Sequence, residues 1–364
     1  MGEQKNTILE AHNIRIENRG IATLDVESLV VYEDEVLSII GPNGAGKTTL
    51  LQRLAMLQKK PRGELFFRGR KVGPDIPVTD YRRHVTMVFQ ETLLFDTTVF
   101  ENVAAGLRFR RAGKDSIEKG VLENLELFGV GHLKERSVRT LSGGEARRVS
   151  LARSFAVRPD IIFLDEPFSA LDPPTHEAIV ADLSHILRRP GMTTIFATHD
   201  RSEALRLSDR ICVMSRGKIL QIGTPDEIMN RPADEFIASF VGAETILPGI
   251  VADANAGTIS VNVNGQRVMA VSDAKTGQNV LLCIRPESIS LTAEPRLDAT
   301  SERNVLAGTV TDVMSLGLYY RVTVDCGFIL SAYVTPASVR KLELERGKTV
   351  YPSFKATAVH VLKR

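Results

Sequence analysis

The feature that most constrains this chain is a nonapeptide near its N-terminal end, Gly41-Pro42-Asn43-Gly44-Ala45-Gly46-Lys47-Thr48-Thr49. Its first eight residues fit the phosphate-binding pattern G-x-x-x-x-G-K-[ST]. An apolar, strand-like run precedes it, and helical spacing follows it. The glycines allow backbone N–H groups to surround phosphates, and the helix N-terminus adds the positive end of its dipole. We therefore expect Lys47 to reach the β- and γ-phosphates of a nucleotide and Thr48 to contact Mg²⁺.

Two adjacent acidic residues end a second apolar run. Asp165 and Glu166 follow Ile161–Leu164 directly. A buried strand rarely finishes on paired carboxylates unless a cation or a water uses them. Together with the phosphate loop, this pattern predicts that Asp165 holds Mg²⁺, directly or through water. Glu166 is then placed to polarise the attacking water as a general base.

A third motif is Leu141-Ser142-Gly143-Gly144-Glu145. It predicts the start of a helix, and its amino-acid composition is unusual for that position. Ser142 and Glu145 fit a capping box, which a purely structural helix would explain equally well. Two adjacent glycines are disfavoured at such a position. We interpret Gly143 and Gly144 as leaving the helix N-terminus bare enough for a phosphate to approach.

The pattern along the chain predicts an α/β domain over residues 1–245, since short apolar strand-like runs alternate with amphipathic stretches. Within it, residues 91–140 show two helical patterns without a strand between them, and we expect a helical subdomain there. After Glu244 the period changes to two, with a tight hairpin turn at Asn264-Gly265. Residues 246–364 are therefore predicted to form an all-β barrel domain, or two half-barrels at about 246–295 and 303–364.

Composition excludes several classes of protein. The 364 residues carry a formal net charge of only +2, which argues against a chain built to coat nucleic acid or an anionic membrane. No run of about 18 apolar residues occurs, so we expect no membrane span within the chain. Cys212, Cys283 and Cys326 are far apart and make no metal-binding spacing. We expect them to be buried thiols in a reducing compartment.

The order of the three motifs resembles the ATP-binding cassette (ABC) ATPases over residues 8–245. The resemblance implies that Gln90 belongs to a glutamine loop that senses Mg²⁺ and the membrane partner. It further implies that Ser169-Ala170-Leu171-Asp172 contacts the other subunit's site, and that His199 is a switch histidine touching the γ-phosphate. Glu166, His199 and Gln90 are then the catalytic set, and Thr48, Gln90 and Asp165 the Mg²⁺ set.

The same resemblance implies ATP and Mg²⁺ as cofactors and a homodimer as the working unit. Each ATP would lie between one phosphate loop and the Leu141–Glu145 signature of the other subunit. The sequence departs from the family pattern at two places. Glu145 stands where many members have Gln, and Asn18 and Arg19 stand where an adenine-stacking aromatic is expected. Tyr32 is too close to the phosphate loop to replace that aromatic.

The C-terminal part resembles the regulatory barrel of importer ATPases through Arg285-Pro286-Glu287. Residues 301–306 and 353–359 resemble a small molybdate-binding domain, and further short stretches resemble the tungstate importers. The resemblance implies import of an oxyanion, with tungstate or molybdate favoured, through a separate permease and an extracytoplasmic solute-binding protein. The chain would then lie at the cytoplasmic face of the membrane as a peripheral subunit and bind no nucleic acid.

An oxyanion site in the barrel follows from the same resemblance. Its expected donors are the hydroxyl of Ser301, the cations of Arg303 and Lys355, and the backbone N–H of Ala356. The alternative is a salt-bridged surface in which Glu302 pairs with one of the two cations. A second ambiguity concerns Thr92–Phe100, whose apolar residues predict either a groove for a permease helix or the core of the helical subdomain.

Three alternative functions stay open at this point. The solute could be sulfate, iron, a sugar or a polyamine, because the resemblance extends to importers of all of these. A soluble ABC ATPase of DNA repair or translation is disfavoured, because such proteins usually carry two cassettes or a long coiled coil. A non-catalytic oxyanion-binding module is disfavoured by the complete catalytic motifs.

Overall fold

The computed structural model describes residues 6–18, 21–58, 62–189, 191–295 and 303–364. The chain forms two compact units, Met1–Pro225 and Asp226–Arg364. The boundary expected at residue 245 instead coincides with the first strand of the second unit, because two short helices that precede this strand belong to that unit. Among the described residues, no helix is long and apolar enough to cross a membrane. The three cysteines are buried and unpaired, as predicted.

The first unit combines strands and helices, as the alternating pattern predicted. Its strands are β1 Thr7–Asn18, β2 Ile21–Tyr32, β3 Val36–Ile40, β4 Arg62–Phe67, β5 Arg70–Lys71, β6 Val85–Val88, β7 Ile161–Asp165, β8 Thr193–Thr198, β9 Arg210–Ser215 and β10 Lys218–Gly223. Its helices are α1 Lys47–Leu54, α2 Val78–His84, α3 Val99–Phe109, α4 Lys114–Leu127, α5 Gly143–Ala156, α6 Pro173–Ile186 and α7 Arg201–Leu207.

The central sheet has the strand order β10-β9-β3-β8-β7-β6 and is parallel except for β10, which runs antiparallel to β9. Every residue of β3, β7 and β8 is buried. This is typical of parallel strands covered on both faces, and it explains their continuous apolar runs. Because parallel strands end at the same edge of a sheet, the residues that follow β3, β7 and β8 lie close together.

A second, antiparallel sheet has the order β2-β1-β4-β5. It shares a hydrophobic core with α1 and one face of the central sheet. The sequence pattern did not distinguish this antiparallel sheet from the parallel one, because its long strands are also rich in buried apolar residues. The α/β fold class is nevertheless confirmed.

The predicted helical subdomain lies between β6 and β7. Helices α3 and α4 fall within residues 91–140, and short 3-10 turns follow at Gly131–Leu133 and Val138–Thr140. Together with α5 and α6 they pack on the other face of the central sheet and form a second core. Within the described part of this region, the only β pairing is an isolated bridge between Thr98 and Ser137.

The second unit is mostly β, as predicted. Its helices are α8 Pro225–Asn230, α9 Glu235–Phe240 and α10 Pro336–Leu342. Its strands are β11 Thr245–Asn255, β12 Thr258–Val263, β13 Gln266–Val271, β14 Asn279–Ile284, β15 Ser290–Thr292, β16 Asn304–Val305, β17 Gly308–Ser315, β18 Tyr320–Asp325, β19 Ile329–Val334, β20 Thr349–Phe354 and β21 Val359–Lys363. Asn264 and Gly265 both adopt positive φ in the turn between β12 and β13, as the hairpin signal predicted.

The second unit does not form two separate half-barrels at 246–295 and 303–364. One sheet has the order β13-β12-β11-β14-β21, and the other has β15-β20-β17-β18-β19 with β16 paired to β20. The two segments therefore exchange their last strands, since β15 joins the second sheet and β21 returns to the first. The return of β21 covers the open edge of β14, and both sheets share one core.

Asn304 connects the two halves of this core. Its side chain is 2% exposed, and it both accepts from the Met269 N–H (2.7 Å) and donates to the Met269 carbonyl oxygen (3.0 Å). A buried amide that satisfies both backbone groups of one residue imitates a strand neighbour. It fixes β16 against β13, although no ladder joins these two strands.

We predict that Asn304→Ala lowers the free energy of unfolding of the second unit by about 2–3 kcal/mol, because two polar backbone groups lose their partner. Urea denaturation of the full chain measures the loss, and hydrogen exchange should show a faster-exchanging Met269 amide. Asn279→Ala, at an exposed position of β14, is the matched control and should change the unfolding free energy by less than about 0.5 kcal/mol. Equal stability of the two variants would contradict the role of Asn304.

Candidate active site

A cavity of about 550 Å³ lies in the first unit, where the phosphate loop meets the ends of the central strands. It is lined by Thr23, Asn43, Gly44, Ala45, Gly46, Lys47, Thr48, Thr49, Gln90, Glu166, Ser169 and His199. The structure thus brings together residues that are far apart in the sequence. Gly41 and Pro42 precede the lining residues, and their backbone carbonyls accept hydrogen bonds from the side chain of Lys47.

The side chain of Lys47 is 6% exposed and points back across the loop. Its Nζ donates to the carbonyl oxygens of Gly41 (2.9 Å) and Pro42 (3.2 Å), and it lies 3.7 Å from Oε1 of Glu166. Burial lowers the pKa of Lys47, while the carboxylates of Glu166 and Asp165 act in the opposite direction. These contacts hold the ammonium group at the base of the cavity, where a phosphate would pair with it.

Asp165 ends β7 and faces the start of α1. The hydroxyl of Thr48 donates to its Oδ1 at 2.9 Å, and the residue is 2% exposed. Burial raises the pKa of the Asp165 carboxyl. A carboxylate and a hydroxyl are the hard oxygen ligands that Mg²⁺ prefers, and a buried carboxyl of this kind gains most from a bound cation. The residues present therefore fit a magnesium ion.

Glu166 has a left-handed backbone with φ of 46°, which is uncommon outside glycine. Its N–H donates to the Ala197 carbonyl on β8 (2.9 Å), and the Ser169 hydroxyl donates to its carbonyl (3.0 Å). Its side chain is 10% exposed, and Oε2 lies 2.6 Å from Nδ1 of His199. The imidazole of His199 is 59% exposed. This turn directs a nearly buried carboxylate toward the cavity beside a histidine that solvent can reach.

Gln90 lies two residues after the end of β6, and its exposed side chain lines the cavity. Asn18 and Arg19 stand at the expected stacking position, and their side chains are not among those that the structure describes. Tyr32 is absent from the residues that line the cavity, and its ring packs 5.0 Å from the guanidinium of Arg210 instead. Of the β1-β2 hairpin residues that the structure describes, Thr23 lines the cavity, and no sequence motif indicated it.

The capping box at the start of α5 is confirmed. The Ser142 hydroxyl accepts from the Glu145 N–H, and the Glu145 carboxylate accepts from the Ser142 N–H (2.7 Å), which lowers the pKa of Glu145. The two glycines differ in role. A Cβ on Gly143 would meet nothing within 4 Å, whereas one on Gly144 would lie 2.6 Å from the Thr175 methyl carbon. Only Gly143 is therefore open to a ligand, and Gly144 permits close packing against α6.

The five signature residues Leu141–Glu145 belong to the described part of the chain, and none is among the residues that line its own cavity. In the following loop, Ser169 lines the cavity, Ala170 has φ of 60°, and Leu171 packs against the helical core. The carboxylate of Asp172 caps α6 by accepting from the Thr175 N–H (3.2 Å).

Sequence reasoning missed Arg147, on the second turn of α5. It is 2% exposed, and its guanidinium contacts the backbone beside both Gln90 and Glu166. Its one signal in the sequence is a charged residue at an inward-facing helical position, which does not reveal the contacts.

In the second unit, Asn304 pairs with Phe354 in antiparallel register, and Arg303 and Lys355 are the residues that directly precede and directly follow these two partners. Both side chains are exposed, and neither forms an ion pair with any residue that the structure describes. Ala356 is buried. Ser301 and Glu302 lie outside the described residues.

Comparisons with known proteins agree with this arrangement. A family model described as an ABC transporter matches residues 24–169, and a TOBE domain model matches residues 300–361. The chain is 35% identical to the molybdate/tungstate import ATP-binding protein WtpC of Pyrococcus horikoshii, over 92% of this chain and 94% of that protein. It is also 35% identical to the spermidine/putrescine import ATP-binding protein PotA of Desulfitobacterium hafniense, over 87% and 88%.

Among solved structures, the chain resembles CbiO1 from Clostridium perfringens, part of the ABC transporter complex CbiONQ. The TM-score is 0.57 with 29% identity, and the match covers 62% of this chain and 92% of that one.

We predict that Gly41→Ala impairs the phosphate loop. A Cβ at this position would lie 2.2 Å from the Met214 carbonyl oxygen, so β3 and β9 must separate. We expect a loss of about 1–3 kcal/mol in the free energy of unfolding and at least about tenfold weaker ATP binding. Thermal unfolding and titration with a fluorescent ATP analogue measure the two effects. Gly113→Ala is the control, because its Cβ would meet nothing within 4 Å. Unchanged ATP affinity in Gly41→Ala would contradict the prediction.

Proposed function

Because the chain belongs to the family of ATP-binding import proteins of ABC transporters, we propose that it hydrolyses Mg·ATP to power uptake of a solute through a separate membrane permease. The observation that carries this proposal is the cluster of Lys47, Glu166 and His199 around one cavity. The Glu166 carboxylate lies between the other two groups, 3.7 Å from the Lys47 ammonium and 2.6 Å from the His199 imidazole, which supports the roles of phosphate-binding cation, general base and γ-phosphate contact that we propose for Lys47, Glu166 and His199.

In the proposed reaction, a water attacks the γ-phosphorus of ATP and ADP leaves. The Glu166 carboxylate accepts the proton of that water, and the neighbouring His199 contacts the γ-phosphate. The ammonium of Lys47 exchanges its carbonyl partners for phosphate oxygens. Thr48 and Asp165, with Gln90 nearby, would hold Mg²⁺, which neutralises the charge of the phosphates when bound.

We propose that the working unit is a homodimer. The signature helix begins at the exposed residues Ser142 and Gly143, outside the cavity of its own chain. A capped helix N-terminus with an open glycine suits a phosphate, so the nucleotide that it contacts would belong to the partner. ATP would then close the dimer, and hydrolysis would release it.

The permease would dock beside Gln90. Two residues of the 92–100 segment, Leu93 and Phe95, are 59% and 53% exposed, whereas Val99 is fully buried in the helical core. Arg153 of α5 supports the exposed pair, since it donates to the Leu93 carbonyl (2.7 Å) and lies 5.6 Å from the Phe95 ring. This apolar, supported edge suits a helix of a membrane partner and would keep the chain at the cytoplasmic face.

For the solute, we favour an oxyanion, tungstate or molybdate, over a polyamine. The support is two exposed cations, Arg303 and Lys355, which flank the Asn304–Phe354 pair and form no ion pair with any residue that the structure describes. Cations of this kind attract anions and repel polyamines. Ser301 and the N–H of Ala356 would complete the donor set. Oxyanion that accumulates inside would bind this site, favour the open dimer and slow hydrolysis. An extracytoplasmic binding protein would deliver the solute to the permease.

We predict that Glu166→Gln binds Mg·ATP with nearly unchanged affinity but loses about 10²–10⁴-fold in turnover, because the amide cannot accept the proton from water. It should also accumulate as an ATP-bound dimer, which light scattering detects. Lys47→Ala should lose nucleotide affinity instead. Turnover of Glu166→Gln near that of the unchanged protein would disprove the role as general base, and a monomer with ATP bound would disprove the dimer.

We predict that tungstate or molybdate binds the full-length protein at least about tenfold more tightly than sulfate or spermidine, and that it slows ATP hydrolysis. Isothermal titration and a phosphate-release assay measure the two effects. The double variant Arg303→Ala/Lys355→Ala should lose both, whereas Arg340→Ala, an exposed cation of α10, should keep them. A response to spermidine would favour a polyamine importer, and no response to any solute would leave the barrel without a sensing role.

A further inference from the structure

The guanidinium of Arg147 joins three motifs that the sequence keeps far apart. Its Nε donates to the Pro167 carbonyl (2.6 Å), and Nη2 donates to the Glu166 carbonyl (2.8 Å). Nη1 donates to the carbonyls of Phe89 (2.7 Å) and Gln90 (3.3 Å). One side chain of the signature helix therefore holds the backbone of both the glutamine loop and the general base.

This arrangement is costly, because Arg147 is 2% exposed and no carboxylate that the structure describes forms an ion pair with it. Burial lowers its pKa to about 10, so the group stays charged at neutral pH. An apolar residue at this inward-facing position would avoid burying a charge. Four carbonyls converge on the guanidinium instead, in a fork that only an arginine can satisfy.

The position of Arg147 along α5 connects the start of the signature helix to the backbone of Glu166 and Gln90. The helix begins at Ser142 and Gly143, which we assign to the partner's nucleotide, and Arg147 lies on its next turn. The guanidinium holds the carbonyl of Glu166, whose left-handed backbone directs the carboxylate toward the cavity. A shift of α5 must therefore move Glu166 and Gln90, because the contacts are short and buried.

We propose that Arg147 is a positioning residue that transmits engagement of the signature helix by one nucleotide to the general base and the glutamine loop of the other site. This inference rests on the proposed function, because it takes Glu166 as the base and the signature as acting on the partner's ATP. Hydrolysis at each site then depends on whether the partner's site is filled.

The test compares turnover with nucleotide affinity in variants of the full-length protein. We expect Arg147→Ala to lose about 10–100-fold in kcat, because a displaced base is inefficient, while ATP affinity changes by less than about threefold. Arg147→Lys should not restore turnover, since one ammonium cannot span the carbonyls of two loops. Methylguanidinium added at millimolar concentration should partly restore the turnover of Arg147→Ala.

The neighbouring Arg148 provides a matched control. It is 20% exposed and its guanidinium contacts Asp182 (2.5 Å) and the Phe128 carbonyl (3.1 Å), away from the cavity. Arg148→Ala should keep kcat within about twofold and show no rescue. Equal effects of the two alanine variants, or a parallel loss of turnover, affinity and thermal stability in Arg147→Ala, would overturn the proposal.

If Arg147→Ala does not fold, the same measurements on Arg147→Gln test the proposal, because the glutamine amide can still donate a hydrogen bond to one of the two loops. Full turnover in Arg147→Gln, or its failure to fold, would reduce Arg147 to a structural residue and overturn the proposal. Reduced kcat at unchanged affinity would support it. Failure of the proposed function is distinguishable, since the unchanged protein would then show no hydrolysis that Glu166→Gln abolishes.

Discussion

The active site depends on the common edge at which β3, β7 and β8 end. Each strand is buried along its whole length, so its register with its neighbours is fixed by packing on both faces. The phosphate loop follows β3, Asp165 ends β7 and Glu166 follows it, and His199 follows β8. Because these strands are adjacent and parallel, Glu166 contacts both Lys47 and His199 without any long loop having to be ordered.

The buried charged side chains at this edge lack part of the charge compensation that a charged ligand would supply. Lys47, Asp165 and Glu166 are all nearly buried, and the pKa values of Lys47 and Asp165 are shifted by burial toward their neutral forms. A triphosphate with a divalent cation would supply partners for both signs of charge. The direct contact between Lys47 and Glu166 (3.7 Å) lets each group compensate the other until such a ligand enters.

In the second unit, which is small and mostly β, stability depends on joining two chain segments into one core. Its two chain segments exchange their last strands, and Asn304 replaces a missing ladder between β13 and β16. As a result the segments form one core, and neither needs to bury its apolar face alone. Arg303 and Lys355 lie beside this junction, so the proposed anion site would stand on the part of the barrel that holds the halves together.

Local features could be predicted from the amino-acid sequence: the phosphate loop, the acidic end of β7, the capping box at Ser142 and Glu145, and the α/β-then-β order of the chain. Each depends on residues within a few positions of one another, and turn, cap and period signals act at that range. Three further features are visible only in the folded chain: the packing of Gly144 against Thr175, the exchange of β15 and β21, and the four carbonyls around Arg147. These features arise from contacts between segments far apart in the chain, and no spacing within one segment encodes which distant backbone a side chain will meet.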